Sequence, residues 1–180
     1  MVNVPQEVVW VVSVVLVEAA VIDGLKLRVP NWLTFHLILG GVGFSAWYGG
    51  VPALLASLEG LGLGLALLLP LWMIGGMGAG DVKLLAGVGA WVGPAAVLGA
   101  FVTSAVVGGV MALAMVAWSG EYAHHWAMFQ TIGHEILTVR DPSKLSETAA
   151  ARKPDMMLLP YGIPLAIGSI AYFLWAGLMV

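Results

Sequence analysis

The chain has 180 residues, 61% of them hydrophobic and only 9% charged, with a formal net charge of −3 and a mean hydropathy of +0.98. A soluble domain carries about 25% charged residues, and a surface this poor in polar groups would not stay dissolved. Soluble globular, disordered and nucleic-acid-binding classes are therefore excluded, and the absence of cysteine removes disulfide frameworks, thiolate nucleophiles, zinc ribbons and iron–sulfur clusters. What remains is an all-α, polytopic membrane bundle forming one domain over 1–180. Its rare charges are where function is to be sought.

A hydrocarbon core of about 30 Å needs about 20 apolar residues per helix, so six spans fit, at about 6–22, 32–49, 51–74, 82–93, 95–118 and 157–179. The first is rich in Val but lacks polar alternation, which argues against a barrel strand. The first 25 residues hold no Lys or Arg, and Glu7 stands where a signal peptide would be basic, so no cleavable leader is expected. The polar stretch from Asp23 to Asn31 ends span 1. Span 2 closes at Gly49-Gly50, and Val51-Pro52 opens span 3, because proline is tolerated in a first helical turn. From Leu84 to Gly120 run 37 residues without a charged side chain, too long for one crossing, and Gly93-Pro94 divides them into spans 4 and 5. The 119–155 segment is polar: Tyr122, Trp126, Phe129 and Ile136 recur at helical spacing, which predicts an amphipathic surface helix. Arg140 to Lys153 reads as a flexible return loop, and Pro160 and Pro164 break the first turns of span 6.

With six spans, all seven basic residues (Lys26, Arg28, Lys83, Arg140, Lys144, Arg152 and Lys153) fall on one side. By the positive-inside rule that side is cytoplasmic and both termini lie outside.

Four acids lie in or against the apolar stretches: Glu18, Asp23, Glu59 and Asp81. Each costs about 2.5–3.5 kcal/mol at a helix centre on insertion scales, so each calls for a reason. Asp23 and Asp81 share a setting at the cytoplasmic end of a span, followed shortly by Lys26 or Lys83. Two carboxyls brought together near an apolar wall cannot both ionise easily. The ionised one can take a proton from water while the neutral one hydrogen-bonds a scissile carbonyl, the arrangement of an aspartic protease. The bland alternative is a pair of interfacial caps matched with the neighbouring lysines. In Gly78-Ala79-Gly80-Asp81 the missing side chains would let an extended substrate approach and would permit unusual backbone angles. Glycines in membrane helices also serve simple close packing.

Three stretches occur together and in order: Asp23 with Val29-Pro30-Asn31, Gly78-Ala79-Gly80-Asp81-Val82-Lys83-Leu84-Leu85 with Gly87 and Gly93, and Pro160-Tyr161-Gly162-Ile163-Pro164. This pattern resembles the type IV prepilin peptidase family, membrane aspartic proteases of the Gly-x-Gly-Asp class. The resemblance implies that Asp23 and Asp81 are the catalytic pair, with Pro30, Asn31, Gly78, Gly80, Lys83, Pro160, Gly162 and Pro164 as supporting motif residues. It implies prepilin or pseudopilin substrates, cut after a glycine that ends a basic leader and precedes a hydrophobic helix. Bifunctional members carry Cys-x-x-Cys motifs and methylate the new amino terminus; this chain has no cysteine. It looks like the compact branch of Tad-type pilus systems, or like an archaeal preflagellin peptidase, and cleavage without methylation, metal or cofactor is expected.

The remaining polar residues carry weaker readings. Glu18 reads as a protonated carboxyl bonded inside the bundle, with a modulating role toward Asp23 as the alternative, Glu59 as a packing residue and His36 as a satisfied interior histidine. His124, His125 and His134 lack the spacing of a zinc-protease helix. Pro160 to Pro164 offers either freed backbone groups for an added substrate strand or a plain loop-to-helix cap. Asp141, Glu147 and Asp155 would attract a basic leader or merely solvate their loop. The rival class is a small proton- or cation-coupled transporter, in which Glu18, Glu59 and Asp81 would line one path through the membrane.

Overall fold

A computed structural model describes residues 4–73, 76–138, 148 and 159–179. Among the described residues, five helices can be bounded in chain order: α1 Gln6–Lys26, α2 Asn31–Met73, α3 Ala79–Ser119, α4 Tyr122–Thr138 and α5 Gly162–Trp175. Among the described residues there is no strand. Three of these helices, α1, α2 and α3, are long and apolar enough to cross a membrane.

The two longest helices are not straight rods. Straight, the 43 residues of α2 would extend about 64 Å, twice a bilayer core. At Gly50 the backbone turns to φ 62° and ψ −150°, and at Gly93 of α3 it turns to φ 78° and ψ 177°. Only glycine takes such angles without strain. Pro52 and Pro94 follow, where the missing N–H falls in the first turn of the new leg.

Contacts show that each helix doubles back there. In α2, the Leu37 carbonyl accepts from Trp91 Nε1 at 2.7 Å and Gly41 abuts Ala90, so the 31–49 leg runs alongside the start of α3. Beyond Gly50 the direction reverses. Ser57 donates to the Ala90 carbonyl at 2.6 Å, Gly60 lies on Gly89, and Gly64 faces Leu85 and Ala86. The 94–119 leg of α3 likewise runs antiparallel to α5: Gly99 meets Tyr172, Thr103 donates to the Gly168 carbonyl at 2.8 Å, and Ser104 to that of Leu165 at 3.3 Å. Small residues let backbones approach this closely, and hydroxyls then bridge the helices, each worth about 0.6 kcal/mol in a membrane. Finally, α1 and α5 are antiparallel, tied by Gln6 Nε2 donating to the Met179 carbonyl at 2.6 Å at one end and by Gly162 on Asp23 at the other. Leu16, Leu68, Leu84, Leu85, Leu165 and Phe173 fill the middle.

The helix limits depart from the sequence reading in one respect that matters. Helix α1 does not stop at Ile22 but continues through Asp23 to Lys26, where Leu27 in the left-handed region donates to the Asp23 carbonyl at 2.7 Å. Helix α3 begins at Ala79, before the expected 82, because Asp81 itself caps its first turn. Both aspartates are therefore helical residues rather than loop residues. The last described helix is shorter than expected, ending at Trp175, where the N–H groups of Ala176 and Leu178 donate back to the carbonyls of Tyr172 and Phe173.

One end of the bundle thus gathers Asp23, Asp81, the 27–30 link, the start of α5 and the described basic residues Lys26, Arg28 and Lys83. The other end holds the Gly50 and Gly93 reversals. Exposed tryptophans stand at both: Trp10, Trp47 and Trp175 toward the reversals, Trp32, Trp72 and Trp118 toward the aspartates. Helix α4 is exposed along Tyr122, Trp126 and Phe129, with the last two rings stacked 5.9 Å apart. Apart from residue 148, the expected loop 140–153, with Asp141 and Glu147, and Asp155 beyond it, lie outside the described residues.

Candidate active site

Asp23 and Asp81 stand 58 residues apart in sequence yet lie near enough in the fold for the charge of one to act on the other. Both are buried, at 3% and 6% exposure. Their mountings differ. Asp23 sits in the last turn of α1, and its Oδ2 accepts the Gly162 N–H at 2.8 Å. That amide is one of the donors that a helix N-terminus leaves unpaired, so a carboxylate of the first helix caps the last one. Asp81 is the third residue of α3, and its Oδ2 accepts the N–H of Gly78, the helix's own N-cap, at 3.1 Å. This is the acidic half of a capping box. Its other oxygen, Oδ1, is buried without a hydrogen-bond partner among the described residues. Each carboxyl thus has one oxygen fixed by a backbone amide, and Asp81 holds its second in reserve.

The glycines explain how the aspartates can come so near the backbone. A methyl group on Gly162 would sit 3.0 Å from both Cβ and Oδ2 of Asp23, and one on Gly78 would sit 3.1 Å from Oδ2 of Asp81. At Gly80 it would meet the Val29 carbonyl oxygen at 2.7 Å. The unusual backbone angles expected of the Gly-x-Gly-Asp stretch are not found: Gly78 has φ −80° and ψ 148°, which any residue adopts. Gly80 makes room for the 27–30 link of this chain, not for a visiting backbone.

Other motif residues brace this corner. Lys83 Nζ donates to Asn31 Oδ1 at 3.0 Å and lies 5.2 Å from the Phe35 ring, tying the starts of α2 and α3. Pro30 accepts the Thr34 N–H and so begins α2. The Pro160 carbonyl accepts from Ile163 and that of Tyr161 from Leu165, while Pro164 is buried. Of the backbone groups this segment offers, Gly162's amide is already committed to Asp23. Sequence reasoning missed Tyr161, which lies within electrostatic reach of Asp81; its only signal was its place inside the Pro-x-Gly motif.

Three expectations are overturned. Glu18 is exposed on the outer face of α1 rather than bonded inside the bundle, because Val12, Ser13, Leu16 and Ala19 take the inward positions. Glu59 is likewise exposed, beside the buried Gly60. His36 points outward, its Nδ1 2.6 Å from the Trp32 carbonyl, so it is satisfied but not interior. With Glu18 and Glu59 outside, no file of acids leads to Asp81 among the described residues, and the transporter reading loses its path. The side chains of His124 and His125 lie outside the described set; His134 is exposed on α4.

Fold and site together define an all-helical protein with three helices long and apolar enough to cross a membrane and two buried carboxyls gathered at one end. The model of the type IV leader peptidase family matches residues 10–113, and the chain belongs to that family. Relatives include the prepilin leader peptidase/N-methyltransferase of Aeromonas salmonicida (strain A449), 34% identical over 115 residues, and that of Aeromonas hydrophila, 36% identical over 109. Each match covers 57% of this chain and 37% of the relative, so the chain spans little more than a third of the length of these proteins. No solved structure matches it.

Proposed function

We propose that the chain is a membrane aspartic endopeptidase that removes the leader of type IV prepilins or pseudopilins, cutting after a glycine at the cytoplasmic face of the plasma (inner) membrane. The observation that carries this is the meeting of Asp23 and Asp81, each with one oxygen anchored by a helix-terminal amide, in a member of the leader peptidase family. One carboxyl, ionised, takes a proton from the attacking water. The other, neutral, donates to the scissile carbonyl and so stabilises the developing oxyanion. The unpartnered Oδ1 of Asp81 suits either task. Activity falls when both groups are ionised at high pH and when both are protonated at low pH.

The six helical legs act as six spans, with both termini outside and the 119–155 segment cytoplasmic. The tryptophans at the two ends of the bundle mark the interfaces, and Lys26, Arg28 and Lys83 share the aspartate end. Cleavage proceeds without methyl transfer, metal or cofactor. The relatives' names include an N-methyltransferase activity, but this chain has no cysteine with which to build the Cys-x-x-Cys motifs of bifunctional members.

The test is co-expression with a prepilin, followed by mass spectrometry of its amino terminus with methyl donor present and again with chelator. A shortened, unmethylated product that forms in chelator is expected. A methylated product refutes the protease-only reading, and loss of cleavage in chelator refutes the metal-free one. For the topology, a cysteine in place of Ser146 should react with an impermeant thiol reagent only after the cells are opened.

A further inference from the structure

The seam between α1 and α5 is closed at one end by the hydrogen bond from Gln6 to Met179 and opens toward the aspartates as a groove of about 740 Å3. Its lining is apolar. Small residues Ala20, Gly24 and Ala166 lie among the exposed Val21, Ile167 and Leu174. On α5 it runs from Ile163 to Leu174, about 16 Å, or half a bilayer core. Its inner end is continuous with the mounting of Asp23: Gly24 follows that residue, and Ile163 follows the glycine whose amide holds it.

Next to the lining residues Val17 and Val21 on α1 stands Glu18, the one acid that the fold leaves exposed in the helix's apolar length. Glu18 shares a helical stripe with Val14, Val21 and Leu25, all more than half exposed, and stands about 7.5 Å along the axis from Asp23. No partner for it occurs among the described residues. A carboxyl on an apolar face is costly unless something pairs with it, and acyl chains offer no donor. A polypeptide helix does.

We propose that this groove docks an apolar α-helix of the substrate, with Glu18 accepting from a hydroxyl, amide or amine on that helix. The proposal rests on the peptidase reading above. It makes Glu18 a specificity-determining residue: a helix carrying a donor at the matching height is held, with its leader-proximal end delivered to Asp23, and a purely apolar one is not.

Two measurements decide it, both on the full chain in proteoliposomes. A photoreactive benzoylphenylalanine replaces Ile167, or, as control, Val106 on the outer face of α3, in an Asp81→Asn background that halts turnover. Crosslinks from position 167 to the apolar helix of a prepilin, absent from position 106, are expected. Crosslinks only to lipid, or only to a second copy of the chain, overturn the proposal. Separately, Glu18→Leu and Glu18→Gln are assayed on an intact prepilin and on a peptide that spans the cleavage site but lacks the helix. Glu18→Leu should raise KM for the prepilin about three- to tenfold, the equivalent of one interhelical hydrogen bond. Its kcat and its cleavage of the peptide should be unchanged, and Glu18→Gln should recover part of the loss. An equal effect on both substrates, or none on either, refutes the role of Glu18. Failure of the wild type to cut prepilin refutes the peptidase reading instead, while the crosslink still reports on the groove.

Discussion

The corner around Asp81 and the corner around Asp23 hold the same chemical group by opposite means. Asp81 is held locally, by an amide three residues earlier on its own helix, while Asp23 is held across 139 residues by the first amide of α5. A local hold forms with the first turn of α3 and needs nothing else. A remote hold exists only when the first and last helices are docked. The difference teaches that one carboxyl belongs to a secondary-structure element and the other to the tertiary fold.

The largest effect expected from breaking either corner is loss of the reaction. Asp23→Asn and Asp81→Asn should each lower prepilin processing by about a thousandfold or more, and the double variant should be little worse than either, because groups that act as a unit are not additive. Processing assays on protein that still elutes as a folded species in detergent check this. Near-wild-type activity in either variant would remove that residue from the catalytic pair.

Smaller changes separate the two holds. Gly162→Ala places a methyl 3.0 Å from the Asp23 carboxyl, which must move. A misplacement of about 1 Å can cost a hundredfold, so kcat should fall about tenfold or more while the melting temperature changes little. At Gly80 the obstacle is the Val29 carbonyl, backbone at 2.7 Å. Gly80→Ala should therefore act mainly on stability, by about 1–3 kcal/mol as for other overpacked sites, read by thermal melting in detergent. If Gly162→Ala lowered only stability and Gly80→Ala only kcat, the contrast between the corners would be reversed. The mildest effect belongs to Lys83→Met. Its hydrogen bond to Asn31 lies at the outer edge, where such bonds are worth little net, and less than a twofold change in processing is expected.

Much of this was legible in the residues. The all-helical class followed from composition, and the turning points from Gly50 with Pro52 and Gly93 with Pro94. The pairing of Asp23 with Asp81 came from their shared setting and from the motif around each. What stayed hidden has a common physical cause. In a chain 61% hydrophobic, the outward faces of the helices are as apolar as the inward ones, so periodicity does not say which way a side chain points. Glu18 and His36 were placed inside for want of that signal. Gly162's hydrogen bond and the groove beside it depend on how α1 meets α5, and no local pattern encodes that meeting. Asp81 extends α3 backward by capping it, an effect that a hydropathy boundary at 82 overlooks.

The reversals at Gly50 and Gly93 bear on how such a chain enters a bilayer. Each joins two apolar legs through a turn of glycine, proline and small or apolar side chains, Gly49 to Pro52 and Gly93 to Pro94, with no ionised group among them. A leg inserted alone must drag its trailing end across the membrane, and a charge there is a toll at the bilayer centre. In the proposed topology, a pair of legs folded at an uncharged turn would enter tip first as a hairpin, while Lys83 would stay behind. Biogenesis would then proceed in two-helix units, and an arginine placed at Val51 or Ala95 would stall a unit without touching the mature site.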